Sequence, residues 1–535
     1  CISDWGHDFR PDYRRIVRIL QALPPNVPVL ATTATANDRV VKDVVEQIGE
    51  GLRVIRGPLV RKSLRLQAIY LPSHAERMAW LAEQLPTLQG SGIIYARTIR
   101  DAERVAEWLR TRGIDAYAYH SGAENREQLE QHLLSNRIKA LVATSALGMG
   151  FDKPDLTFVI HYQRPGSVVE YYQQVGRAGR NDAAAYGIML SGTEDDEITD
   201  YFIRTAFPPL EHIHAVLDVL EEAEEGLKLT EIQARLNLRA GQIEKVLKML
   251  DLHSPAPIVK QGSQWYRTAN AYTPDLLHIQ KLTEIRRAEQ EELRRYMEGD
   301  QCHMAYLRAA LDDRDVQPCG RCAACEGRPL LPITVGDQTV QQAIHFLKRS
   351  YQVIEPRKRS PALKVIPEPL QAEPGRALCI YGDAGWGMLV KRGKYQDGSF
   401  SDELIEATAE MILRHWRPDP MPSWVTGVPS LRRPELVSSF ARRLARQLGL
   451  PFVEAIEKVR TTAEQKDQQN SHYRLENLRR AFVVNVPDPQ RRRDVLLVDD
   501  MVDSRWTLTY LAALLRQHGV GRVYPVVLAV TTSNY

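Results

Sequence analysis

Gly176-Arg177-Ala178-Gly179-Arg180 brings two arginines within three residues of each other. A guanidinium is a permanent cation with a planar fork, which suits the charge developing on a transferring γ-phosphoryl group. Their spacing aims both side chains at one face, and glycines allow a backbone to come close to a phosphate. Standing alone, such a pair also describes a solvated basic turn. Here it closes a longer run, Leu141 to Arg180, that contains T-S-x-L-G-M-G-F-D-K-P-D from Thr144 to Asp155 and then Gln173-Gln174-Val175. The chemistry indicated is phosphoryl transfer at a nucleotide.

Two other groupings have chemical spacing. Cys302, Cys319, Cys322 and Cys325 form C-x16-C-G-R-C-A-A-C. Thiolates this close in sequence reach one tetrahedral ion, and a distant fourth closes the shell. A closed sulfur set implies structural Zn2+ with no open position for catalysis; His303 is an outside candidate ligand. The last grouping is the carboxylate pair Asp499-Asp500, expected to end a buried strand from Arg493 to Asp500.

The elements that must position the arginines alternate between strand and helix from about Arg65 to Leu190, as in a parallel sheet with helices on both faces. Ala140–Ala143 and Thr157–His161 read as short strands, and Val168–Val175 has helical spacing that delivers the arginine pair at its end. Gly92–Thr98 predicts a strand, Asp101–Leu109 a helix and Asp115–Tyr119 a strand reaching His120-Ser121-Gly122. Ligands gather at the carboxyl ends of strands in open α/β sheets. Arg97, Thr98, His120, Ser121 and Thr144 therefore stand where a ligand would gather, although each alone also fits an ordinary strand end. Upstream, Val27–Thr32 predicts a strand leading to Thr33-Ala34-Thr35-Ala36, with Asn37 placed to cap the next helix. At the start, Trp5, His7, Phe9 and Tyr13 interleave with Asp4, Asp8, Arg10 and Arg14. Aromatic faces stack on unpaired bases at about 1–3 kcal/mol each; a partly buried loop whose aromatics pack is the plain alternative.

Leu141 to Arg180 resembles motifs V and VI of superfamily 2 helicases, in wording closest to the RecQ branch, while Gly92–Thr98 is similar to motif IV and Thr33–Ala36 to motif III. The resemblance implies two RecA-like lobes closing on ATP and Mg2+. Arg180 would be the arginine finger, Arg177 and Gln174 would line the cleft, and Gly150, Asp152 and Gly176 would meet the nucleotide. It also implies that Trp5, His7, Phe9 and Arg10 lie in an aromatic-rich DNA loop, and that Thr33 and Thr35 relay nucleotide state to the DNA site. The edge marked by Arg97, Thr98, His120, Ser121 and Thr144 would, by the same resemblance, follow a nucleic-acid strand. The cysteine spacing is similar to the RecQ zinc module. No G-x-x-x-x-G-K-[ST] occurs, and the family's D-E-x-H carboxylates would lie just before Cys1. The expectation is a fragment that lacks roughly two-thirds of its first lobe and does not turn over ATP alone.

The totals bound the rest. At 535 residues there is room for several cored domains, and a hydrophobic fraction of 44% with 26% charged residues is ordinary for globular protein. No run of 18 apolar residues and no signal-peptide pattern occurs. A formal charge of +3 leaves polyanion binding to local patches. Cys1 and Cys379 are bystanders. The resemblance implies a bacterial cytoplasmic protein, nucleoid-associated when on DNA.

Leu210–Tyr272 predicts helices at Ile213–Leu220, from Leu229 with Thr230 as cap, and at Ala240–Leu250, then a hairpin through Ile258–Lys260 and Gln264–Arg267. That looks like a winged helix, with Arg239, Gln242 and Lys245 as DNA contacts; a packing module with an acidic face at Glu221–Glu225 is the alternative. Asp275–Tyr296 predicts a long helix clamped against the cysteines. Pro329–Pro374 reads as a basic, Pro-rich connection. Beyond Ala377 an α/β pattern returns, with a strand at Trp424–Thr426 and a helix at Pro434–Leu448. Asp499-Asp500 with Met501–Thr507 resembles the diphosphoribose signature of type I phosphoribosyltransferases, and Gln465–Phe482 resembles the hood of ComF-like members. The resemblance implies that the acid pair holds ribose hydroxyls and that Ser504 and Thr507 hold the 5′-phosphate. Where that family has small residues, this chain has Arg505-Trp506. Trp506 is expected to crowd the phosphate loop, Arg505 to offer its side chain to a phosphate, and turnover is not expected.

The expected fold is multidomain α/β. Residues 1–64 belong to the first RecA-like lobe, 65–207 to the second, 208–273 to a winged helix, 274–328 to a helical zinc module, 329–376 to a linker and 377–535 to a phosphoribosyltransferase-like domain. With that tail the whole resembles RqlH-type bacterial RecQ-like helicases. Such a protein is an ATP-dependent 3′→5′ helicase or translocase on single-stranded and forked or tailed duplex DNA, in repair or recombination. The alternatives are a nucleotide-salvage or nucleotide-sensing protein with a vestigial motor, and a DNA-binding fragment.

Overall fold

The structure, a computed structural model, describes residues 19, 23–24, 27–33, 35, 37–48, 52–147, 151–181, 183–253, 255–314, 316–349, 351–358, 366–383, 385–460, 471–478 and 481–531. They divide into two compact units. One comprises Cys1–Ile213, Lys245–Lys260 and Arg267–Ala343; the other comprises His214–Glu244, Gln261–Tyr266 and Ile344–Tyr535.

The first unit is built on a six-stranded parallel sheet. Its strands are β1 (Leu64–Tyr70), β2 (Gly92–Tyr95), β3 (Ala116–Tyr119), β4 (Ala140–Ala143), β5 (Phe158–His161) and β6 (Ala185–Ser191), in the order β1-β6-β5-β2-β4-β3. The central strands are buried along their whole length, as expected when helices cover both faces. Gly92 is required where β2 meets β5, because a Cβ there would lie 2.3 Å from the Phe158 carbonyl oxygen. Helix α1 (Asp38–Ile48) precedes the sheet, and α2 (His74–Gln84), α3 (Ile99–Thr111), α4 (Arg126–Leu134), α5 (Val168–Val175) and α6 (Asp195–Arg204) cross between or follow its strands. Asn37 Oδ1 accepts from Val40 N at 2.9 Å and so caps α1. Val27–Thr32 forms no strand: among the described residues its one backbone–backbone bond is the local turn from Val27 N to the Pro24 carbonyl at 3.0 Å, and Leu30 is 88% exposed.

After α6 come α7 (Leu210–Glu221), β7 (Leu227–Lys228), α8 (Leu229–Arg235), α9 (Ala240–Asp251), β8 (Ile258–Gln261) and β9 (Gln264–Arg267). β7 pairs antiparallel with β9. These elements follow the expected chain order, except that Lys228, not Thr230, stands at the cap of α8. Two of the residues offered to DNA in that region are engaged elsewhere. Gln242 Oε1 accepts from Arg239 N at 2.8 Å, and the exposed Lys245 ammonium donates to the Thr205 carbonyl.

The cysteine region follows as α10 (Leu276–Glu298), α11 (His303–Ala310) and α12 (Ala323–Glu326). Leu293, Tyr296, Met304, Leu307 and Cys322 share one core with Tyr171, Tyr172 and Val175 of α5. Helices α10 and α11 and the parallel sheet therefore share one core.

The stretch 329–376 is not a linker. It contains α13 (Asp337–Lys348) and β10 (Gln352–Ile354), and β10 pairs antiparallel with β11 (Gly375–Ile380). The second unit has a five-stranded sheet, β10-β11-β16-β15-β12, in which β11, β16 (Val523–Val530), β15 (Val495–Val502) and β12 (Trp424–Gly427) run parallel. Helices α14 (Trp386–Arg392), α15 (Asp402–Glu410), α16 (Pro434–Leu448) and α18 (Trp506–Gln517) pack on it. The pair β13 (Ile456–Lys458) and β14 (Phe482–Val484), with α17 (Ser471–Leu478) between them in the chain, forms a separate two-stranded sheet.

Candidate nucleotide, nucleic-acid and metal sites

The arginine pair leaves the end of α5. Ser167 caps this helix, its hydroxyl accepting from Glu170 N at 3.1 Å, and Tyr171, Tyr172 and Val175 bury one face. The chain turns at Gly176, and Gly179 then adopts φ +65, a conformation that favours glycine. A Cβ at Gly179 would lie 2.7 Å from Ser63 Oγ, which donates to the Gly179 carbonyl at 2.6 Å. This glycine is therefore demanded by the turn and by packing on Ser63.

The two guanidiniums end in different surroundings. Arg177 is half-buried: its Nη1 donates to the Phe151 carbonyl at 2.8 Å, and it hydrogen-bonds the Tyr95 hydroxyl. Burial pushes that phenol up to about 12. Arg180 is exposed, with its Nη1 2.5 Å from Asp152 Oδ1. Arg177 is thus anchored in its own lobe, whereas Arg180 remains at the surface beside a carboxylate. Gln174 faces inward, its Oε1 2.6 Å from His161 Nε2 and its Nε2 donating to Glu170 Oε1 at 3.1 Å. Burial holds His161 down to about 4, so the ring is neutral at pH 7. Gly150 and the loop residues Trp5, His7, Phe9 and Arg10 lie outside the described residues.

Gln173 enters the sequence reading only as part of the Gln173-Gln174-Val175 run, yet its amide leaves the helix for another segment. Gln173 Nε2 donates to Thr35 Oγ1 at 2.5 Å, and Thr35 is buried, while Thr33 is exposed and donates to the Thr35 carbonyl at 3.1 Å. The Thr33–Thr35 stretch and the arginine helix are in direct contact.

Parallel register sets Tyr95 level with Ala143 and His161, and Tyr119 level with Ala143. Arg97, Thr98, His120, Ser121 and Thr144 consequently emerge along one rim of the sheet. Most of their polar atoms already have work within the lobe. Thr98 caps α3, accepting from Asp101 N at 3.0 Å and donating to Asp101 Oδ2 at 2.8 Å. Arg97 pairs with Glu170 at 3.3 Å and lies over the Phe202 ring at 4.9 Å. His120 Nε2 is 3.2 Å from Glu103 Oε1. Thr144 is half-buried and Ser121 is exposed. Glu170 was also overlooked, although Ser167-Val168-Val169-Glu170 has the spacing of a capping box.

The four cysteine sulfurs lie within 4.8 Å of one another. Cys319 and Cys325 are 4.0 Å apart, Cys302 and Cys322 3.9 Å. A tetrahedron with metal–sulfur bonds of about 2.3 Å has edges of about 3.8 Å, so the two shorter separations match and the donor set is compatible with a zinc ion. Cys302 Sγ also accepts from the backbone N–H groups of Ala305 and Cys319, which stabilise a thiolate. His303 is not in this cluster; its buried ring packs on Tyr296, 5.0 Å between centroids.

In the second unit the carboxylate pair lies within β15, which continues to Val502. Asp500 pairs with Lys394 Nζ at 2.6 Å, on a π-helical turn from Gly393 to Asp397. Burial and the adjoining Asp500 hold the Asp499 carboxyl well above the usual range. Two expectations are corrected. Trp506 does not crowd the loop: Arg505 takes φ +66, and Trp506 turns into the core at 2% exposure. Arg505 is not held out for a phosphate, since its Nη1 donates to the Glu355 carbonyl at 3.0 Å. Ser504 contributes its carbonyl to Arg357 Nε at 2.8 Å, and Thr507 is half-buried.

No helix among the described residues is long and apolar enough to cross a membrane. The family model "Helicase conserved C-terminal domain" matches residues 76–182. The chain is 38% identical over 195 residues to the ATP-dependent DNA helicase RecQ of Haemophilus influenzae, covering 36% of this chain and 31% of that protein. It is 37% identical over 202 residues to the RecQ-like DNA helicase blm-1 of Caenorhabditis elegans, covering 36% of this chain and 20% of that one. It therefore spans well under two-thirds of these relatives. The ATP-dependent DNA helicase RecQ of Synechocystis is matched more fully, at 31% identity over 349 residues, 61% of this chain and 69% of that protein. On that match, and on the parallel sheet that carries the arginine motif, the chain belongs to the RecQ helicase family.

Proposed function

We propose that this chain is part of an ATP-dependent DNA motor, a 3′→5′ helicase or translocase acting in repair or recombination. ATP with Mg2+ would be held against a neighbouring nucleotide-binding lobe, and Arg180 would meet the γ-phosphate as it transfers. The observation that carries this reading is the contrast at the end of α5: Arg177 is anchored to Phe151 and Tyr95, while Arg180 is exposed with Asp152 as its partner. An exposed ion pair is cheap to open, so Arg180 is available to an arriving anion. The rim from Arg97 to Thr144 would follow one strand of a single-stranded or forked DNA. In the full-length protein, Arg180→Ala should abolish DNA-dependent ATPase and leave DNA binding largely intact; normal turnover in that variant would overturn the assignment.

Cys302, Cys319, Cys322 and Cys325 would hold Zn2+ in a structural role, which fits their participation in the core beneath α5. The zinc would supply cross-linking of the loop and no chemistry. The second unit favours a further reading, a phosphoribosyltransferase-like fold without turnover. Lys394 already neutralises Asp500, and the loop residues Arg505 and Trp506 are engaged within the fold. Pyrophosphate release from phosphoribosyl diphosphate with any purine or pyrimidine base would refute it.

A further inference from the structure

Glu170 stands one turn before Gln174 on α5, and its carboxylate joins three parts of the lobe. Oε1 accepts from Gln174 Nε2 at 3.1 Å; Oε2 accepts from Gly166 N at 2.8 Å and pairs with Arg97 Nη1 at 3.3 Å. The segment that runs from β2 into Arg97 is tied a second time, to the turn that leaves α5. Tyr95, two residues earlier, hydrogen-bonds Arg177 and donates to the Leu147 carbonyl at 3.0 Å. Between the two ties lie His161 and Gln174, 2.6 Å apart, with the His161 ring stacked on Tyr95 at 5.3 Å. The end of β2 and the helix that delivers the arginines are therefore held at both ends of a closed polar loop. Shifting Arg97 moves Glu170, and shifting Glu170 moves the helix that ends in Arg177.

From this geometry we infer that Glu170 is a positioning residue that couples the nucleic-acid rim at Arg97 to the arginine motif at the end of α5. The inference rests on the motor reading above. A phosphate of bound DNA beside Arg97 competes with the Glu170 carboxylate for the same guanidinium, and Arg prefers the bidentate partner it can reach best. Released from Arg97, Glu170 keeps its bonds to Gly166 and Gln174, so the DNA-bound and DNA-free lobes differ in one strut. Coupling free energies between sites run to about tenfold or more in the linked equilibrium.

The test uses the full-length protein and a single-stranded oligonucleotide. The readout is the ratio of ATPase turnover with saturating DNA to turnover without DNA, measured together with the oligonucleotide Kd. Glu170→Ala is expected to lower that ratio about tenfold while Kd changes far less. Glu170→Gln, which keeps an acceptor for Gly166 N–H but no charge for Arg97, should fall between Ala and the parent. A purely structural role for Glu170 would leave the ratio of the folded variants unchanged, and that result would overturn the proposal. Equal ratios in parent and both variants, with the parent strongly stimulated by DNA, would sink this inference alone. A parent with no DNA-stimulated turnover would instead sink the motor reading.

Discussion

Gln173 Nε2 donates to Thr35 Oγ1 at 2.5 Å, so the helix that carries the arginine pair touches the Thr-rich segment that precedes α1. Thr35 is buried, and an amide–hydroxyl bond in such a place is worth about 1 kcal/mol. In a double-mutant cycle, Thr35→Val and Gln173→Leu should each destabilise the first unit. Together they should cost less than their sum by about that amount. Strict additivity in urea unfolding would mean that the bond contributes nothing.

Arg180 and Asp152 form an exposed pair, and such pairs contribute at most about 1 kcal/mol. Arg180→Ala should therefore leave the thermal midpoint of this chain nearly unchanged. The same substitution in the full-length protein should reduce ATPase turnover by roughly a thousandfold or more. A large fall in Tm would show that Arg180 is a structural residue.

Cys322 is fully buried in the core shared by α5, α10 and α11. Cys322→Ser, or a strong zinc chelator, should release the metal and loosen that core. Near-UV circular dichroism should change in step with metal content, because Tyr171, Tyr296 and Tyr306 form a run of edge-to-face rings above the cluster. Metal content measured by atomic absorption and an unchanged near-UV spectrum after chelation would separate the cysteines from the fold.

His161 and His74 are both held neutral by burial, at about 4 and about 3, against an ordinary value of 6.5. Below pH 6.5 the unfolded chain takes up protons at these positions while the folded chain does not. Stability of the first unit should thus be full above about pH 6.5 and fall as pH drops toward 4, at up to about 1.4 kcal/mol per pH unit for each ring. His161→Asn should flatten the slope between pH 6 and 4.5 in urea denaturation; an unchanged slope would mean that His161 is not buried neutral.

The parts legible in sequence were those whose signal is local. Val168–Val175 is a helix over the residues its periodicity indicates, and Pro434–Leu448 likewise. The short C-x-x-C-x-x-C run keeps three sulfurs close, and the fold around α11 brings Cys302 to them from 17 residues upstream. What escaped was set by distant packing. Glu170 looks like a capping residue, but its carboxylate is paired with Arg97 from the turn after β2, 73 residues upstream. Val27–Thr32 has strand composition yet forms none, since a strand needs a neighbour to pair with. Trp506 read as a loop obstruction because the left-handed turn at Arg505, which rotates it into the core, leaves no mark in residue type. Residues 337–354 read as a connection because prolines on either side, at Pro329, Pro332, Pro356 and Pro361, mask the apolar helical spacing of Val340, Ala343, Ile344 and Leu347.

The core that Tyr171, Tyr172 and Val175 share with Leu293, Tyr296, Met304 and Leu307 has a practical corollary for anyone dissecting the protein. A truncation ending after α6 would strip the cover from the inner face of α5 and leave a greasy scar directly beneath the arginine turn. Such a piece would stick to itself before it could be asked about nucleotides, and the smallest dependable excerpt of this lobe has to run at least through Pro332, because the buried Gln67 and Trp80 bond the backbone of Leu330–Pro332.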